Sequence, residues 1–131
     1  MAGFGTARVG AEASGVAPDG TAVRDLLALA GGSMAHFTLP AGSTSLAVTH
    51  RTVEEIWLVL EGRGELWRKQ DAAEAVTPLE PGVAVTIPLG TRFQFRSLAD
   101  APLTFVAITM PPWPGADEAV PVEGAWAASV G

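Results

Sequence analysis

Gly42-Ser43-Thr44-Ser45-Leu46-Ala47-Val48-Thr49-His50-Arg51-Thr52-Val53-Glu54-Glu55-Ile56-Trp57-Leu58-Val59-Leu60-Glu61-Gly62 is a glycine-bounded segment that alternates like a strand, breaks at Arg51-Thr52, and resumes. A second segment, Gly82-Val83-Ala84-Val85-Thr86-Ile87-Pro88-Leu89-Gly90-Thr91-Arg92-Phe93-Gln94-Phe95-Arg96-Ser97, repeats the plan with a Pro-Leu-Gly turn at its centre. In a strand, residues two apart share a face. Val48 and His50 therefore share one face, Glu55, Trp57 and Val59 another, and Phe93 and Phe95 a third. Alternation turns Glu54 away from the face that carries Glu55.

The rest of the chain continues this pattern. Ten prolines and 15 glycines in 131 residues interrupt short runs rich in Val, Ile, Leu, Thr and Phe. Closely spaced strands with turn residues between them indicate an all-β sandwich or barrel. The expected strands are Ala22–Ala28, Ser33–Leu39, Thr44–His50, Glu55–Leu60, Gly64–Lys69, Ala75–Leu79, Val83–Ile87, Arg92–Ser97 and Leu103–Thr109. Leu26–Ala30 and Asp71–Glu74 also read as possible short helical pieces. The length suits one domain, divided here into an N-terminal arm (1–21), a barrel (22–109) and a tail (110–131) rich in Pro and Trp.

Composition excludes several classes of function. Eight Lys and Arg stand against 14 Asp and Glu, a net charge of −6. Phosphate neutralisation needs clustered basic residues, so no nucleic-acid partner is expected; Arg63, Arg68 and Lys69 read as a solvated hairpin surface. The chain has no cysteine, which removes disulfides, thiolate metal sites and cysteine nucleophiles. Met1–Gly20 lacks an apolar run of signal-peptide type, and no stretch has membrane length. The expectation is a cytoplasmic protein without a membrane partner.

The two glycine-bounded segments resemble the cupin family. Gly42, His50, Glu55, Gly62, Gly82, Pro88 and Gly90 fall on the family's paired motifs. Val48 stands where the family's first histidine would be, Phe93 where its third would be, and Ser97 where its asparagine would be. The resemblance implies a double-stranded β-helix (a jelly-roll barrel) with these residues facing its interior. It also implies that members hold a divalent metal on three histidines and a carboxylate, or bind small molecules without one.

Only His50 and Glu55 survive from that ligand set. Catalytic zinc ordinarily has three protein ligands, and non-haem iron two histidines and a carboxylate. No cofactor is therefore favoured, although Fe, Mn, Ni or Zn stays open if a third donor arrives. The chain has two histidines, so His36 is the one available. With a turn at Pro40–Ser43, His36 would pair with Ala47 in a hairpin, and inward Phe37 and Leu39 would turn it outward. A one-residue slip would reverse this and complete a His36–His50–Glu55 set.

The candidate ligand pocket consists of Phe37, Val48, His50, Glu55, Trp57, Phe93 and Phe95. Its aromatic surface suits a flat or apolar organic ligand. If the protein is an enzyme of isomerase, cyclase or oxygenase type, His50 and Glu55 are the candidate catalytic residues, as an acid–base pair able to move a proton in an isomerisation, cyclisation or elimination, or as residual metal ligands. The plainer alternative is that they hydrogen-bond each other and polarise a binding cavity. Gln94 and Arg96 should face out, and Arg92 is either a surface residue or a rim contact for a ligand carboxylate.

Ile56-Trp57-Leu58-Val59-Leu60 is apolar on both faces. Its outer face needs cover from a terminal segment or a second subunit, so a homodimer is expected. In the tail, Trp113 and Trp126 read as anchors on the barrel or on a partner, with a pocket-mouth position as the alternative for Trp113.

Overall fold

The computed structural model describes residues 3–98 and 100–130. The strands are β1 (Gly15–Val16), β2 (Ala22–Leu29), β3 (Gly32–Leu39), β4 (Val48–His50), β5 (Glu54–Glu61), β6 (Gly64–Gln70), β7 (Ala73–Leu79), β8 (Ala84–Ile87), β9 (Arg92–Ser97), β10 (Leu103–Met110) and β11 (Ala119–Pro121). A single 3₁₀ turn, Ala116–Glu118, precedes β11. The strands form two sheets, ordered β1-β2-β3-β10-β5-β8 and β11-β4-β9-β6-β7, with antiparallel pairing throughout. The all-β jelly-roll expected from the sequence is the fold observed. Among the described residues no helix is long and apolar enough to cross a membrane.

The core lies between the sheets, and alternation fills it. Along β5, Glu55, Trp57 and Val59 are buried while Glu54, Ile56, Leu58 and Leu60 are exposed. Trp57 stacks on Phe105 at 4.1 Å between ring centroids and meets Phe95 edge-on at 5.1 Å. Leu39, Leu66, Leu79 and Leu103 pack the end of the barrel away from His50. Each such side chain contributes about 1.5–3 kcal/mol by leaving water.

Three expectations are corrected. The expected β3–β4 hairpin does not form: β3 pairs with β2 and β10, and β4 lies in the other sheet with β9 and β11. The chain crosses between sheets at Pro40–Ala47. Here the Ser97 hydroxyl accepts from Gly42 N–H at 2.9 Å and donates to the Pro40 carbonyl at 3.0 Å. The expected strand Thr44–His50 shortens to Val48–His50, because the Ser45 hydroxyl takes the Phe95 N–H and interrupts the ladder. The helical alternatives at Leu26–Ala30 and Asp71–Glu74 are strand and turn, joined by hairpin pairing to β3 and β6.

Gly62 shows why its motif position demands glycine. Its φ is +82°, and a Cβ there would collide with the Pro102 carbonyl. An L-residue would meet both the left-handed penalty and backbone it cannot displace.

The tail is more structured than its prolines suggest. β11 adds an edge strand to the five-stranded sheet, where Pro121 is tolerated. Beyond it, Trp126 N–H donates to Gln94 Oε1, and Gln94 Nε2 donates to the carbonyls of Ser45 and Trp126, all at 2.9 Å. Gln94 does face away from the barrel interior, but the tail buries it to 1% exposure. Arg96 lies 4.1 Å from the Trp126 ring centroid, a cation–π contact.

Candidate functional site

Opposite the leucine-packed end, the barrel opens into a cavity of about 520 Å³. Phe37, Trp57, Phe93, Phe105 and Trp113 form its aromatic walls, together with Val48. Val48 and Phe93, which stand where the cupin resemblance implies two histidines, are direct partners across β4 and β9. They are each 1% exposed and present a continuous apolar patch. Phe37 stacks on Phe105 at 5.2 Å.

His50 and Glu55 both line this cavity. His50 is 8% exposed, and its ring meets Phe93 and Trp113 edge-on, each at 5.2 Å. Its Nδ1 is buried without a hydrogen-bond partner. Burial pulls its pKa down to about 4, against the opposing pull of the Glu118 carboxylate. The imidazole is thus neutral at neutral pH.

Glu55 is 6% exposed, and its Oε1 accepts from Trp57 Nε1 at 2.9 Å. Burial raises its pKa to about 7; the Trp57 bond opposes the rise and the charge of Asp19 adds to it. Glu55 accordingly divides between acid and carboxylate near neutral pH. The hydrogen bond between His50 and Glu55 that the plainer alternative supposed is not made: Glu55 is held by Trp57, and His50 packs among aromatic rings.

The other proposed pocket residues separate. Phe95 is fully buried behind Trp57 and does not line the cavity. His36 pairs in register with Arg24 and Val106, on the face of β3 opposite Phe37, and is absent from the lining. Its half-buried ring has a lowered pKa, through burial first and the nearby Arg24 charge second. Arg92 sits on β9 opposite Thr49 and Lys69, also outside the lining. The His36–His50–Glu55 set is therefore not assembled, and among the described residues no three His, Cys, Asp or Glu converge as metal ligands. With Val48 and Phe93 at two donor positions, the residues present do not fit a divalent metal.

Trp113, for which the tail's sequence left a pocket-mouth position as the alternative, lines the cavity, while Asp19 in the lining and Glu118 beside it come from segments whose role the sequence did not disclose. Asp19, in the arm, lines the cavity; its Oδ1 accepts from Thr21 N–H at 3.1 Å and from the Thr21 hydroxyl at 2.7 Å. Burial raises its pKa, with the Thr21 bonds opposing. Trp113, in the tail, is positioned by its N–H bond to Ser33 Oγ at 3.0 Å, and Ser33 in turn bonds Thr109 at 2.5 Å. Glu118 accepts from Thr52 N–H and the Thr52 hydroxyl, both at 2.6 Å, and from Val53 N–H at 3.0 Å, which pins the turn between His50 and Glu55. Burial pushes the Glu118 pKa up, but these bonds outweigh it and hold the group below its ordinary value. The signal available for Asp19 was Pro18-Asp19-Gly20, which reads as a turn and nothing more.

Comparison with known proteins places this geometry. The family model described as "Cupin domain" matches residues 35–109. An uncharacterized protein of Methanocaldococcus jannaschii is 31% identical over 81 residues, spanning 62% of this chain and 62% of that relative. The chain thus covers less than two thirds of that relative's length. Among solved structures, an uncharacterized double-stranded β-helix protein of Klebsiella pneumoniae superposes with a TM-score of 0.68 at 16% identity, covering 88% of this chain and 87% of that one. The capsular polysaccharide assembling protein CapF of Staphylococcus aureus gives 0.70 at 17% identity, covering 81% of this chain and 33% of that one. At such identities the likeness concerns the fold. The family match spans both glycine-bounded segments and the strands that carry them, and on that ground the chain belongs to the cupin-domain family.

Proposed function

We propose that the barrel binds a small, flat, largely apolar organic molecule in its cavity, without a resident metal. The observation that carries this reading is the apolar wall made by Val48 against Phe93, within a cavity also lined by Phe37, Trp57 and Trp113. Aromatic walls with few polar groups are the usual composition of a small-molecule site. N-phenyl-1-naphthylamine, a neutral dye that brightens in apolar surroundings, tests it. Saturable one-to-one binding is expected, weakened about tenfold by Trp113→Ala. Absence of saturable binding overturns the reading.

A second reading rests on the position of the Glu55 pKa, near 7. A carboxyl poised there can give or take a proton at neutral pH while neutral His50 accepts one. That chemistry suits an isomerisation, cyclisation or elimination. An oxygenase version lacks the donor set for its metal. If the protein is such an enzyme, His50→Ala abolishes turnover; if it is a binder, the same change alters affinity modestly.

We also infer that two copies pair through the outer face of the six-stranded sheet. Ile56, Leu58 and Leu60 of β5 lie beside Val106 and Ile108 of β10, with Ile56 opposite Ile108 and Leu58 opposite Val106. Four of these, Ile56, Leu58, Leu60 and Ile108, are 39–47% exposed. A contiguous apolar face of this kind is self-complementary about a two-fold axis.

A further inference from the structure

The charges facing the cavity all have one sign. Asp19, Asp25 and Glu55 line it, while no Lys or Arg does, and burial keeps His50 neutral near pH 7. Arg24, on the neighbouring strand, is committed elsewhere: it donates to the carbonyls of Gly10 and Ala11 and to the Thr38 hydroxyl. Among the described residues, no Lys or Arg in the lining neutralises the carboxylates.

Glu55 is the informative member. It is more than nine-tenths buried, at 6% exposure. One oxygen accepts from Trp57, and no hydrogen bond from the described residues reaches the other. That oxygen is also absent from the fully enclosed, unpartnered polar atoms, which include His50 Nδ1. On a residue that lines the cavity, it is therefore open to the cavity itself. A buried carboxylate without a protein cation is costly, and a ligand that brings its own positive charge removes the cost. Aromatic rings favour the same kind of ligand when a cation sits over a ring face, and the effect grows when water is excluded. Trp57, Phe93 and Trp113 place three such rings in the same cavity.

We propose that the cavity selects an organic cation, an ammonium group carried on a flat apolar body, with Glu55 as the principal charge partner and Asp19 as the second. This inference rests on the small-molecule reading above and specifies the ligand's charge. It predicts that anions are rejected by the same carboxylates that retain the cation.

Three ligands of one shape test it: 1-naphthylmethylammonium, 1-naphthylmethanol and 1-naphthoate. Calorimetric titration is made near pH 8, above the Glu55 value of about 7. The ammonium should bind about tenfold or more tighter than the alcohol, and the carboxylate weakest. Glu55→Gln should reduce the ammonium's advantage to less than about threefold, with the alcohol's affinity kept. Asp19→Asn, outside the barrel strands, should reduce it by a smaller factor, and it serves as the test if the Glu55 variant does not fold. Equal binding of ammonium and alcohol overturns the charge preference and leaves the apolar cavity standing. So does a preference for the carboxylate. An ammonium advantage unchanged in both variants overturns the assignment to Glu55 and Asp19. No binding by any of the three defeats both readings.

Discussion

Leu39, Leu66, Leu79 and Leu103 close one end of the barrel at no more than 1% exposure, whereas His50, Glu55 and Trp113 bound a cavity of about 520 Å³ at the other. The same strands build both ends. β10 begins with Leu103 in register with Leu39 and ends near Thr109, opposite Glu55. At the closed end the side chains interlock and exclude everything, so their work is stability. At the open end two ionisable groups, His50 and Glu55, are buried without a mutual bond, which costs stability. Both segments that complete the open end, the arm with Asp19 and the tail with Trp113, lie outside the strands matched by the family model.

The largest expected effect breaks the closed end. Leu66→Ala, at a site with no exposure, should cost about 2–5 kcal/mol in urea unfolding. A loss below about 1 kcal/mol would mean that this end relaxes around the gap, and the contrast between the ends would fail.

Glu55→Gln tests the open end through pH. Glu55 has a pKa of about 7 folded against 4.5 as the ordinary value, so the folded state binds the proton more tightly. Its contribution to stability is present below pH 4.5 and is lost as pH rises to about 7. His50 runs the other way, since its pKa falls from 6.5 to about 4 and stability is lost as pH drops through that window. The two slopes oppose each other where the windows overlap. Glu55→Gln removes only the first, and Asp19, His50 and Glu118 titrate in both proteins. The variant should therefore gain on the parent between pH 4.5 and about 7, by up to about 3 kcal/mol at about 1.4 kcal/mol per pH unit. Urea midpoints across this range measure it, and a constant difference would mean that burial does not raise the Glu55 pKa.

Leu58→Glu gives the smallest change in the stability of the single chain, within about 0.5 kcal/mol, because the residue faces out of the barrel. Its effect should be on assembly: light scattering should give twice the chain mass for the parent and the 13.5 kDa chain mass for the variant. Dye binding should survive, since both ends of the barrel are built within one chain. A parent already monomeric would remove the pairing proposal.

Much of the barrel was legible because its signals are local. Gly62 must be glycine for its φ and its contact with Pro102, and a spacing of such positions survives in any reading of the chain. Alternation placed Trp57 and Glu55 inward and Glu54 outward from neighbouring residues alone. Pairing between distant strands has no such signature. The turn at Pro40–Ser43 looked like a hairpin, yet Ser97 and Phe95, far along the chain, draw the segment into the other sheet. Phe95 shows the same limit: its parity was correct, but its depth behind Trp57 depends on the whole core.

The sequence by itself determined the all-β class and the glycine and proline frame, since each follows from residue type and spacing, and its resemblance to the cupin motifs set Val48 and Phe93 where that family carries histidines. Only the tertiary structure decided that Phe37 rather than His36 faces the cavity, that Asp19 and Trp113 complete it, and that Glu55 bonds Trp57 rather than His50. The physical reason is that burial and charge neighbourhood are properties of packed surroundings. The residues that set them for Glu55 come from the arm, two sheets and the tail, which meet only once the chain has folded.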